Sequence, residues 1–337
     1  MIILGIETSC DECSVAVVED GRKILSNIIA SQIDIHKPYY GVVPEIASRK
    51  HTEWIVPVVK ESLKAAGLDF PQLDGIAATY RPGLIGSLLV GLCFAKGLAY
   101  SLHKPFVGVD HVLAHLYAPH LEREIAYPFI GLLVSGGHTL ISLVNSHDDL
   151  EVLGTTIDDA CGEAFDKIAK FYDLGFPGGV AIDKLAGKGD PRAFSFPKPS
   201  LHKGDHRYDV SYSGLKTAVA NQLDQFWNRQ YEKSPENIAA AFQKTAIDML
   251  ADRVLLAAED TGIKRIVAGG GVSANSYLRE RLGSEQHLEV IFPSLKLCTD
   301  NGAMVAGLGY WLLKEGKASA LNLNPEARVP VFRKKYP

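Results

Sequence analysis

Residues 2–18 read IILGIETSCDECSVAVV, which is an apolar run, a polar turn and a second apolar run. The same arrangement returns at residues 129–144, which read FIGLLVSGGHTLISLV. Sliding the first segment onto the second aligns three identical residues: Gly5 with Gly131, Ser9 with Ser135 and Val18 with Val144. Short apolar runs bounded by polar turns are typical of β-strands. Because similarity at a fixed offset indicates a duplicated architecture, the sequence predicts two related domains.

Helical patterns lie between these strands and after them. Apolar residues recur at helical spacing in residues 52–66 and 238–261, and residues 83–101 form a Gly-rich apolar segment that is typical of a buried helix. A short strand at residues 265–268 runs into three glycines and is followed by a helical pattern at 275–282. Strands that alternate with helices predict α/β layers.

The composition excludes several classes of protein. Of 337 residues, 47% are hydrophobic and 22% are charged, and the net charge is -4, so a disordered chain and a uniformly basic nucleic-acid coat are both excluded. Five cysteines, an odd number, do not suggest a disulfide framework, and we expect a reducing cytoplasm. The N-terminus lacks the pattern of a signal peptide, and the apolar stretch at residues 84–95 is too short and too Gly-rich to span a bilayer.

Three turns rich in glycine or hydroxyl groups directly follow strands, at residues 7–11, 135–139 and 269–275. Backbone N–H groups at such turns can point at a phosphate, and glycine lets the ligand approach closely. One such turn alone is usually an ordinary tight turn, and none of the three has the P-loop or Rossmann spacing. Two turns at equivalent points of a repeat, with a third before a helix, predict a nucleotide held between two similar domains.

Two histidines, His111 and His115, lie four residues apart, so on a helix they share one face and can bind one metal ion. A third ligand must come from elsewhere, and His138 and Asp300 are the candidates. Spacing alone favours surface or core histidines over a metal site. Because the glutamate of an H-E-x-x-H sequence is missing, a zincin-type protease is poorly supported.

Acidic residues form a second group of candidates. Asp11 and Glu12 stand at the tip between two strands, where carboxylates can position a substrate amine or accept its proton, and a solvated acidic turn is the alternative. Asp166 lies in a carboxylate-rich helical pattern and Asp183 follows a Pro-Gly-Gly turn, so both are candidates for binding hydroxyl groups such as those of ribose. A charged helix surface is the alternative for the carboxylate-rich pattern. Basic residues cluster in three places that suit phosphate contacts or solvated faces equally: residues 49–51, 198–207 and 333–335.

Twelve short motifs stand in one order along the chain: residues 6–12, 41–45, 47–49, 82–84, 86–91, 111–115, 133–139, 158–160, 162–167, 213–217, 270–275 and 298–304. As a set they resemble the universal family of tRNA threonylcarbamoyladenosine transferases, formerly described as O-sialoglycoprotein endopeptidases. The sequence departs from the family pattern at Arg81, where glycine is usual, and at Asp110, where histidine often precedes the first metal ligand.

The resemblance implies an α/β fold of the ASKHA class, which is the ATPase fold of actin, Hsp70 and the sugar kinases. That fold has two duplicated lobes with the nucleotide site in the cleft, in agreement with the internal repeat. The resemblance implies an N-terminal lobe of residues 1–107 plus about 303–337, and a C-terminal lobe of residues 108–302.

The activity that the resemblance implies is transfer of a threonylcarbamoyl group from threonylcarbamoyl-AMP to tRNA. The acceptor would be N6 of the adenosine 3′ of the anticodon in tRNAs that read codons beginning with A, and AMP would be released. A small-molecule kinase of the same fold is the alternative. Paired metal histidines argue against such a kinase, which holds Mg²⁺ through carboxylates and phosphates. A nucleotide-binding scaffold and a metalloprotease are weaker alternatives.

The family's functional residues carry over by position. Those for the metal ion are His111, His115 and Asp300. Those for the substrate are Val134, Ser135, Gly136, Gly137 and His138 in one loop, and Asp166, Gly179, Asp183 and Asn275 around the adenylate. Those near the transferred group are Asp11 and Glu12.

The resemblance also implies cofactors and partners. The cofactor would be one divalent metal ion per subunit, Fe²⁺ or alternatively Zn²⁺, and ATP is a second nucleotide to consider. The partners would be tRNA, an inactive TsaB-like paralogue of the same fold and a TsaE-like P-loop ATPase. We therefore expect the chain alone to have weak activity or none, and we expect no membrane partner.

Overall fold

The structure is a computed structural model that describes residues 1–199, 201 and 206–330. The basic cluster predicted at residues 333–335 lies outside the described residues, as does part of the cluster at 198–207.

The described residues form ten strands: β1 Ile2–Glu7, β2 Glu12–Glu19, β3 Lys23–Ser31, β4 Gly75–Arg81, β5 Phe106–Asp110, β6 Phe129–Val134, β7 Thr139–Ser146, β8 Asp149–Thr155, β9 Arg265–Gly269 and β10 Glu289–Ile291. They also form eleven α-helices: α1 Ile33–His36, α2 Pro44–Ala66, α3 Ile85–Leu102, α4 His111–Tyr117, α5 Cys161–Phe171, α6 Gly178–Ala186, α7 Ser213–Asn221, α8 Leu223–Phe226, α9 Pro235–Thr261, α10 Ser276–Gly283 and α11 Gly302–Lys314. Two of the helices start earlier than the apolar periodicity predicts. In both cases a proline stands in the first turn, where its missing N–H costs nothing.

The strands form two five-stranded sheets with the same topology. Their orders are β3-β2-β1-β4-β5 and β8-β7-β6-β9-β10. In each sheet the central strand, β1 or β6, is antiparallel to the next strand of its hairpin and parallel to the strand on its other side. Strand order and strand direction thus confirm the predicted duplication.

The strand register agrees with the sequence repeat to the residue. Gly5 of β1 pairs with Ala16 of β2, and Gly131 of β6 pairs with Ser142 of β7. The second pair is the first pair moved along the chain by the same offset that aligns the two polar turns. The repeated segment is therefore a repeated hairpin.

By internal packing, the described chain divides into two compact units. The first unit consists of Met1–Ala126, Ser146–Asp149 and Pro293–Pro330, and the second of Tyr127–Asn145 and Leu150–Phe292. The first unit thus includes residues 108–126 and 293–302, which the expected lobe boundaries assign to the C-terminal lobe. The lobe division itself stays a prediction.

In the first unit both faces of the sheet are buried. Ile3 of β1 packs with α4 and α11 on one face, whereas Leu4 and Ile6 pack with α2 and α3 on the other. Sheets covered on both faces need strands that are apolar throughout, which explains the continuous apolar run of β1. In the second unit, α5, α7 and α9 bury one core against Ile130 and Leu132 of β6.

Helix α3 is longer than the apolar stretch at residues 84–95 suggests. It has 18 residues and a mean hydropathy of 1.6, so by length and composition it could cross a membrane. Its buried residues, among them Leu92, Ala95 and Ala99, pack against α2 and the sheet of the first unit. The helix is therefore packed in the first unit, with 33% of its residues buried.

Helix α11 approaches the sheet of the first unit closely at Gly5. A Cβ atom added to Gly5 would lie 2.3 Å from the carbonyl oxygen of Gly302 and 2.4 Å from the amide nitrogen of Ala306. These are backbone atoms of a buried helix, which cannot move aside without shifting the whole helix.

We expect Gly5→Ala to destabilise the protein by about 3 kcal/mol, because the added methyl overpacks this contact. In thermal unfolding the Tm should fall by about 6–12 °C. Gly97→Ala on α3 is the matched control, since nothing lies within 4 Å of its added Cβ and alanine favours helix over glycine. A Gly5→Ala protein that unfolds like the wild type would contradict the packing described here.

Candidate functional site

The two histidines predicted to bind a metal lie on α4, the helix that directly follows β5. Asp110 ends the strand and caps the helix, because its carboxylate accepts hydrogen bonds from the backbone N–H groups of Val112 (2.9 Å) and Leu113 (3.3 Å). His111 and His115 are then one turn apart, both are buried, and their ring centroids are 4.5 Å apart. The predicted common helix face is present.

Asp300 lies beside both imidazoles. Its Oδ1 atom is 2.9 Å from Nε2 of His115 and 3.7 Å from Nε2 of His111. The loop that carries Asp300 is fixed at the start of α11, where Asn301 caps the helix and the N–H of Gly302 donates to the Ser14 hydroxyl at 2.8 Å. Of the two residues considered as third ligand, Asp300 therefore joins the histidines, while His138 belongs to the second unit.

Glu7, at the end of β1, holds the far side of His111. Its Oε2 atom is 3.0 Å from Nδ1 of His111 and accepts a hydrogen bond from the Thr79 hydroxyl at 2.7 Å, and its Oε1 accepts the Ser9 N–H at 2.6 Å. A carboxylate on the second ring nitrogen fixes the tautomer of a metal-binding histidine and raises its basicity. The sequence prediction did not assign Glu7 a role, because its burial and its contact with His111 are visible only in the fold.

The two imidazoles differ in charge. Burial alone would lower the pKa of His111, but the carboxylates of Glu7 and Asp300 raise that pKa to about 9. Burial and the neighbouring imidazole of His111 lower the pKa of His115. Burial opposes ionisation of Glu7, yet the charge of His111 brings the pKa of Glu7 below its ordinary value. A metal ion that binds here must therefore displace a proton from His111.

These residues fit a divalent metal ion. The ligand atoms of His111, His115 and Asp300 all lie within 4.8 Å of one another, and the Nε2 atoms of both rings face the same carboxylate oxygen. Two imidazole nitrogens with one carboxylate oxygen form a donor set that suits Fe²⁺ or Zn²⁺. Within the described part of the chain, Nδ1 of His115 has no hydrogen-bond partner, so this ring lacks the carboxylate support that Glu7 gives to His111.

The acidic tip, Asp11 and Glu12, belongs to the same unit. Burial and the neighbouring carboxylates of Asp11 and Asp300 raise the pKa of Glu12 well above its ordinary value. The Ser31 hydroxyl donates to Oε1 of Glu12 at 3.2 Å. A carboxylate with a raised pKa is a stronger base, so the tip is suited to accepting a proton.

The turn before the tip is held tightly against the start of α3. The N–H of Leu84 donates to the carbonyl oxygen of Ser9 at 2.7 Å, and a Cβ added to Gly83 would lie 2.6 Å from that same oxygen. The Ser9 hydroxyl is 3.2 Å from Nδ1 of His111. The turn therefore connects the tip directly to α4, which carries His111 and His115 and is called the metal helix below.

In the second unit, the predicted substrate loop is the turn between β6 and β7. Its ends are joined by a hydrogen bond from the Ser135 N–H to the His138 carbonyl oxygen at 2.8 Å, and Val134 is buried behind it. Gly136 and Gly137 are exposed, with open space where a Cβ would stand. Their backbone is therefore accessible to a ligand, as the sequence prediction requires.

The same turn packs against the start of α5 and the end of β9. The N–H of Gly162 donates to the Ser135 carbonyl oxygen at 3.2 Å, and a Cβ on Gly162 would lie 2.8 Å from Gly136. Gly270 has a φ of +89°, and its Cβ would lie 2.4 Å from the Val134 carbonyl oxygen. Glycines at 162 and 270 thus let two predicted ligand-binding loops approach each other.

The residues predicted to hold the adenylate form two pairs. Oδ1 of Asp166 accepts the N–H of Gly178 at 2.7 Å, next to Gly179 at the start of α6. Asp183 accepts hydrogen bonds from Nδ2 of Asn275 (3.3 Å) and from the Ser276 hydroxyl (2.6 Å). Asp183 and Asn275 are therefore together at the start of α10, as the prediction requires.

Gln243 of α9 is a further polar residue at this position that the sequence prediction missed. Its Oε1 accepts from Nδ2 of Asn275 at 2.9 Å, while Oδ1 of Asn275 accepts the N–H of Leu278 and caps α10. Gln243 is buried, so it fixes which way the Asn275 amide points. The sequence places Gln243 inside a periodic helical run, where nothing distinguishes it from a core position.

Comparison with known proteins gives a consistent result along nearly the whole chain. The family model of TsaD, tRNA N6-adenosine threonylcarbamoyltransferase, matches residues 23–307. Proteins named tRNA N6-adenosine threonylcarbamoyltransferase are similar throughout: that of Treponema denticola is 66% identical over 99% of both chains, and that of Borreliella afzelii is 52% identical over 100% of this chain and 96% of its own.

Solved structures share the fold at low sequence identity. Full-length HypF, in the phosphate- and nucleotide-bound form, has a TM-score of 0.62 at 17% identity, covering 95% of this chain and 47% of its own. Component A of the Acidaminococcus fermentans (R)-2-hydroxyglutaryl-CoA dehydratase has a TM-score of 0.56 at 15% identity, covering 94% and 99%. These likenesses, together with the two mixed sheets, confirm the predicted ASKHA-type α/β fold.

Proposed function

Because the chain belongs to the tRNA N6-adenosine threonylcarbamoyltransferase family, we propose that its first unit binds the metal ion and accepts the proton of the reaction, while its second unit binds the adenylate. The enzyme is an acyltransferase that modifies tRNA at N6 of adenosine. The proposed donor is threonylcarbamoyl-AMP, and the proposed acceptor is the adenosine 3′ of the anticodon in tRNAs that read codons beginning with A.

The observation that carries the proposal is the convergence of His111, His115 and Asp300 on one point within the first unit. These three residues would hold a divalent ion, which would supply Lewis-acid catalysis. Glu7 keeps His111 oriented for this role through its hydrogen bond to Nδ1. Fe²⁺ is the metal we propose for this donor set, with Zn²⁺ as the alternative.

The acidic tip offers a carboxylate that can accept the proton released in the reaction. In the transfer, N6 of adenosine forms a bond to the carbamoyl carbon, the bond from that carbon to the phosphate oxygen of AMP breaks, and N6 loses a proton. An exocyclic adenine amine is a poor nucleophile, so a carboxylate that takes this proton favours the reaction. We assign that role to Glu12, with Asp11 beside it as the group that raises its pKa.

The second unit offers groups of the chemistry that an adenylate needs. Exposed backbone at Gly136 and Gly137 can donate N–H groups to the phosphate oxygens, which carry more charge as AMP leaves. The carboxylates of Asp166 and Asp183 are held against the first turns of α6 and α10, and they can accept hydrogen bonds from ribose hydroxyls. The proposed adenylate site also includes the remaining predicted substrate residues, which are Val134, Ser135, His138, Gly179 and Asn275.

Membership of this family supports specific partners, a cellular compartment and a second nucleotide. We propose a TsaB-like paralogue and a TsaE-like ATPase as the partners with which the chain reaches full turnover, and the cytoplasm as its compartment. ATP is a second nucleotide that the adenylate site could accept. Full turnover by the pure single chain would contradict the dependence on partners.

Nucleoside mass spectrometry of tRNA tests this function directly. Cells depleted of the protein should lose N6-threonylcarbamoyladenosine, and the wild-type gene should restore it. Asp183→Ala should restore less than a tenth, because it removes a charged hydrogen-bond acceptor for the adenylate. Asp224→Asn, an exposed aspartate of the second unit, is the matched control and should restore the nucleoside fully. An unchanged nucleoside profile on depletion would contradict the function and favour a small-molecule kinase.

A further inference from the structure

A C-terminal strap, defined as residues 318–328, lies along the edge strand β5 of the first unit. The Ser319 N–H donates to the Phe106 carbonyl oxygen at 2.7 Å, and the Ser319 hydroxyl accepts the Gly108 N–H at 3.0 Å. Leu323 fills the space over Gly108, where a Cβ would lie 2.3 Å from its side chain. Lys96 of α3 donates to the Leu323 carbonyl oxygen at 3.0 Å. The strap is thus fixed to the sheet at several points.

At its far end the strap reaches the residue that departs from the family pattern, Arg81. The Glu326 N–H donates to the Tyr80 carbonyl oxygen at 2.9 Å, and Oε2 of Glu326 accepts Nη1 of Arg81 at 3.3 Å. The same guanidinium donates through Nε to Oδ2 of Asp110 at 3.1 Å. Arg81 therefore joins the strap to Asp110, the second position of departure.

Asp110 uses its other oxygen to cap the metal helix. Its Oδ1 accepts the N–H groups of Val112 and Leu113, so one carboxylate connects Arg81 to the first turn of α4. Helix α4 has only seven residues, and helices this short depend on their caps and on tertiary contacts. The position of the two imidazoles therefore depends on how Asp110 is held.

A second connection runs from the strap to the same helix. The Gly83 N–H donates to the Ala327 carbonyl oxygen at 3.2 Å, and the next residue, Leu84, donates to the Ser9 carbonyl oxygen. The Ser9 hydroxyl then contacts Nδ1 of His111 at 3.2 Å. Both connections from the strap end at His111 and its helix.

We propose that Arg81 is a positioning residue that uses the C-terminal strap to hold the metal helix in its ligating arrangement. A guanidinium suits this role because its planar fork contacts two carboxylates at once, which a lysine ammonium on a flexible stem does not reproduce. The inference rests on the metal site proposed above. It predicts that Glu326 affects metal binding without touching the metal, because Glu326 acts through Arg81 and Asp110.

Binding of Co²⁺ to the purified full chain, followed by its visible absorption, tests the proposal. We expect Arg81→Gln to weaken Co²⁺ binding about tenfold, as is typical when a residue that orients a ligand is lost. Arg81→Lys should not restore affinity. Asp110→Asn keeps the cap but loses the ion pair, so it should match Arg81→Gln, whereas Asp110→Ala should bind more weakly still. Adding Glu326→Gln to Arg81→Gln should cause no further loss, because the two act through one link.

Controls separate this proposal from the metal site itself. Lys23→Gln removes an exposed ion pair with Glu19 elsewhere in the same unit and should leave Co²⁺ affinity and absorption unchanged. If the wild type does not bind Co²⁺, or His115→Ala binds it equally well, the metal site is wrong. If the wild type binds Co²⁺ and Arg81→Gln has the same affinity and spectrum, the metal site stands and the positioning role of Arg81 is refuted.

Discussion

His115→Ala should abolish metal binding and lower transfer to tRNA by at least about 10³-fold. His115 is fully buried, and its Nε2 lies 2.9 Å from Asp300, so its loss removes one of three ligands from a closed cluster. Polarisation by a bound metal ion contributes several kcal/mol to a transition state, and each 1.4 kcal/mol is about tenfold in rate. The measurements are metal content per purified chain and the level of N6-threonylcarbamoyladenosine in complemented cells.

A second variant separates loss of metal binding from loss of stability, because removal of the buried His115 ring also leaves a cavity. Asp300→Asn keeps the shape of the side chain but removes the charge, at a position that is partly exposed. It should lower metal content and modification while leaving the Tm close to that of the wild type. His287→Ala is the matched control, since His287 is exposed and lies in the second unit. Normal modification by both His115→Ala and Asp300→Asn would show that the metal is dispensable.

Glu12→Gln should slow transfer by about 10²- to 10⁴-fold, which is the usual contribution of a positioned proton acceptor. Burial and the Asp11 carboxylate raise the pKa of Glu12, so the base form becomes more abundant as the pH rises. The wild-type rate should therefore increase with pH as the medium passes through that raised pKa. Single-turnover transfer at saturating donor and tRNA, with the complete enzyme complex, measures this profile.

Asp11→Asn gives the sign of the electrostatic effect. Removing the neighbouring negative charge should lower the pKa of Glu12 and move the acid limb of the profile to lower pH. Glu12→Gln should remove the limb altogether. Glu19→Gln, at the opposite end of the same strand, should change neither rate nor profile, since its partner is the exposed Lys23. A limb that moves to higher pH in Asp11→Asn would contradict the assignment.

Much of the fold could be predicted, because local hydrophobic patterns indicate the strands and the internal repeat indicates how they pair. The apolar runs and polar turns of β1–β2 and β6–β7 predict two hairpins, and the offset between them predicts their register. The start of α2 could not be predicted from periodicity, because its first turns, from Pro44 onward, are only partly buried and carry mostly polar residues. The helix predicted at residues 83–101, by contrast, corresponds to α3.

The candidate site was predictable in part. The spacing of His111 and His115 predicts a shared helix face, but the choice between His138 and Asp300 requires the fold. Glu7 approaches His111 across 104 positions of sequence, and no local pattern encodes such a contact. The links of Arg81 to Asp110 and Glu326 are of the same kind. Contacts between residues that are distant in sequence could not be predicted, because they depend on the tertiary structure.

The first unit is assembled from both ends of the chain, and this has a consequence for synthesis on the ribosome. Glu7 lies on β1, which is made before the second unit, whereas Asp300 and the covering helix α11 are made after it. The second unit, by contrast, is nearly continuous from residue 127 to residue 292. Domains generally fold as they emerge. The face of the N-terminal sheet that α11 covers therefore stays open until translation has passed residue 314, and the proposed metal site is incomplete until Asp300 has been made.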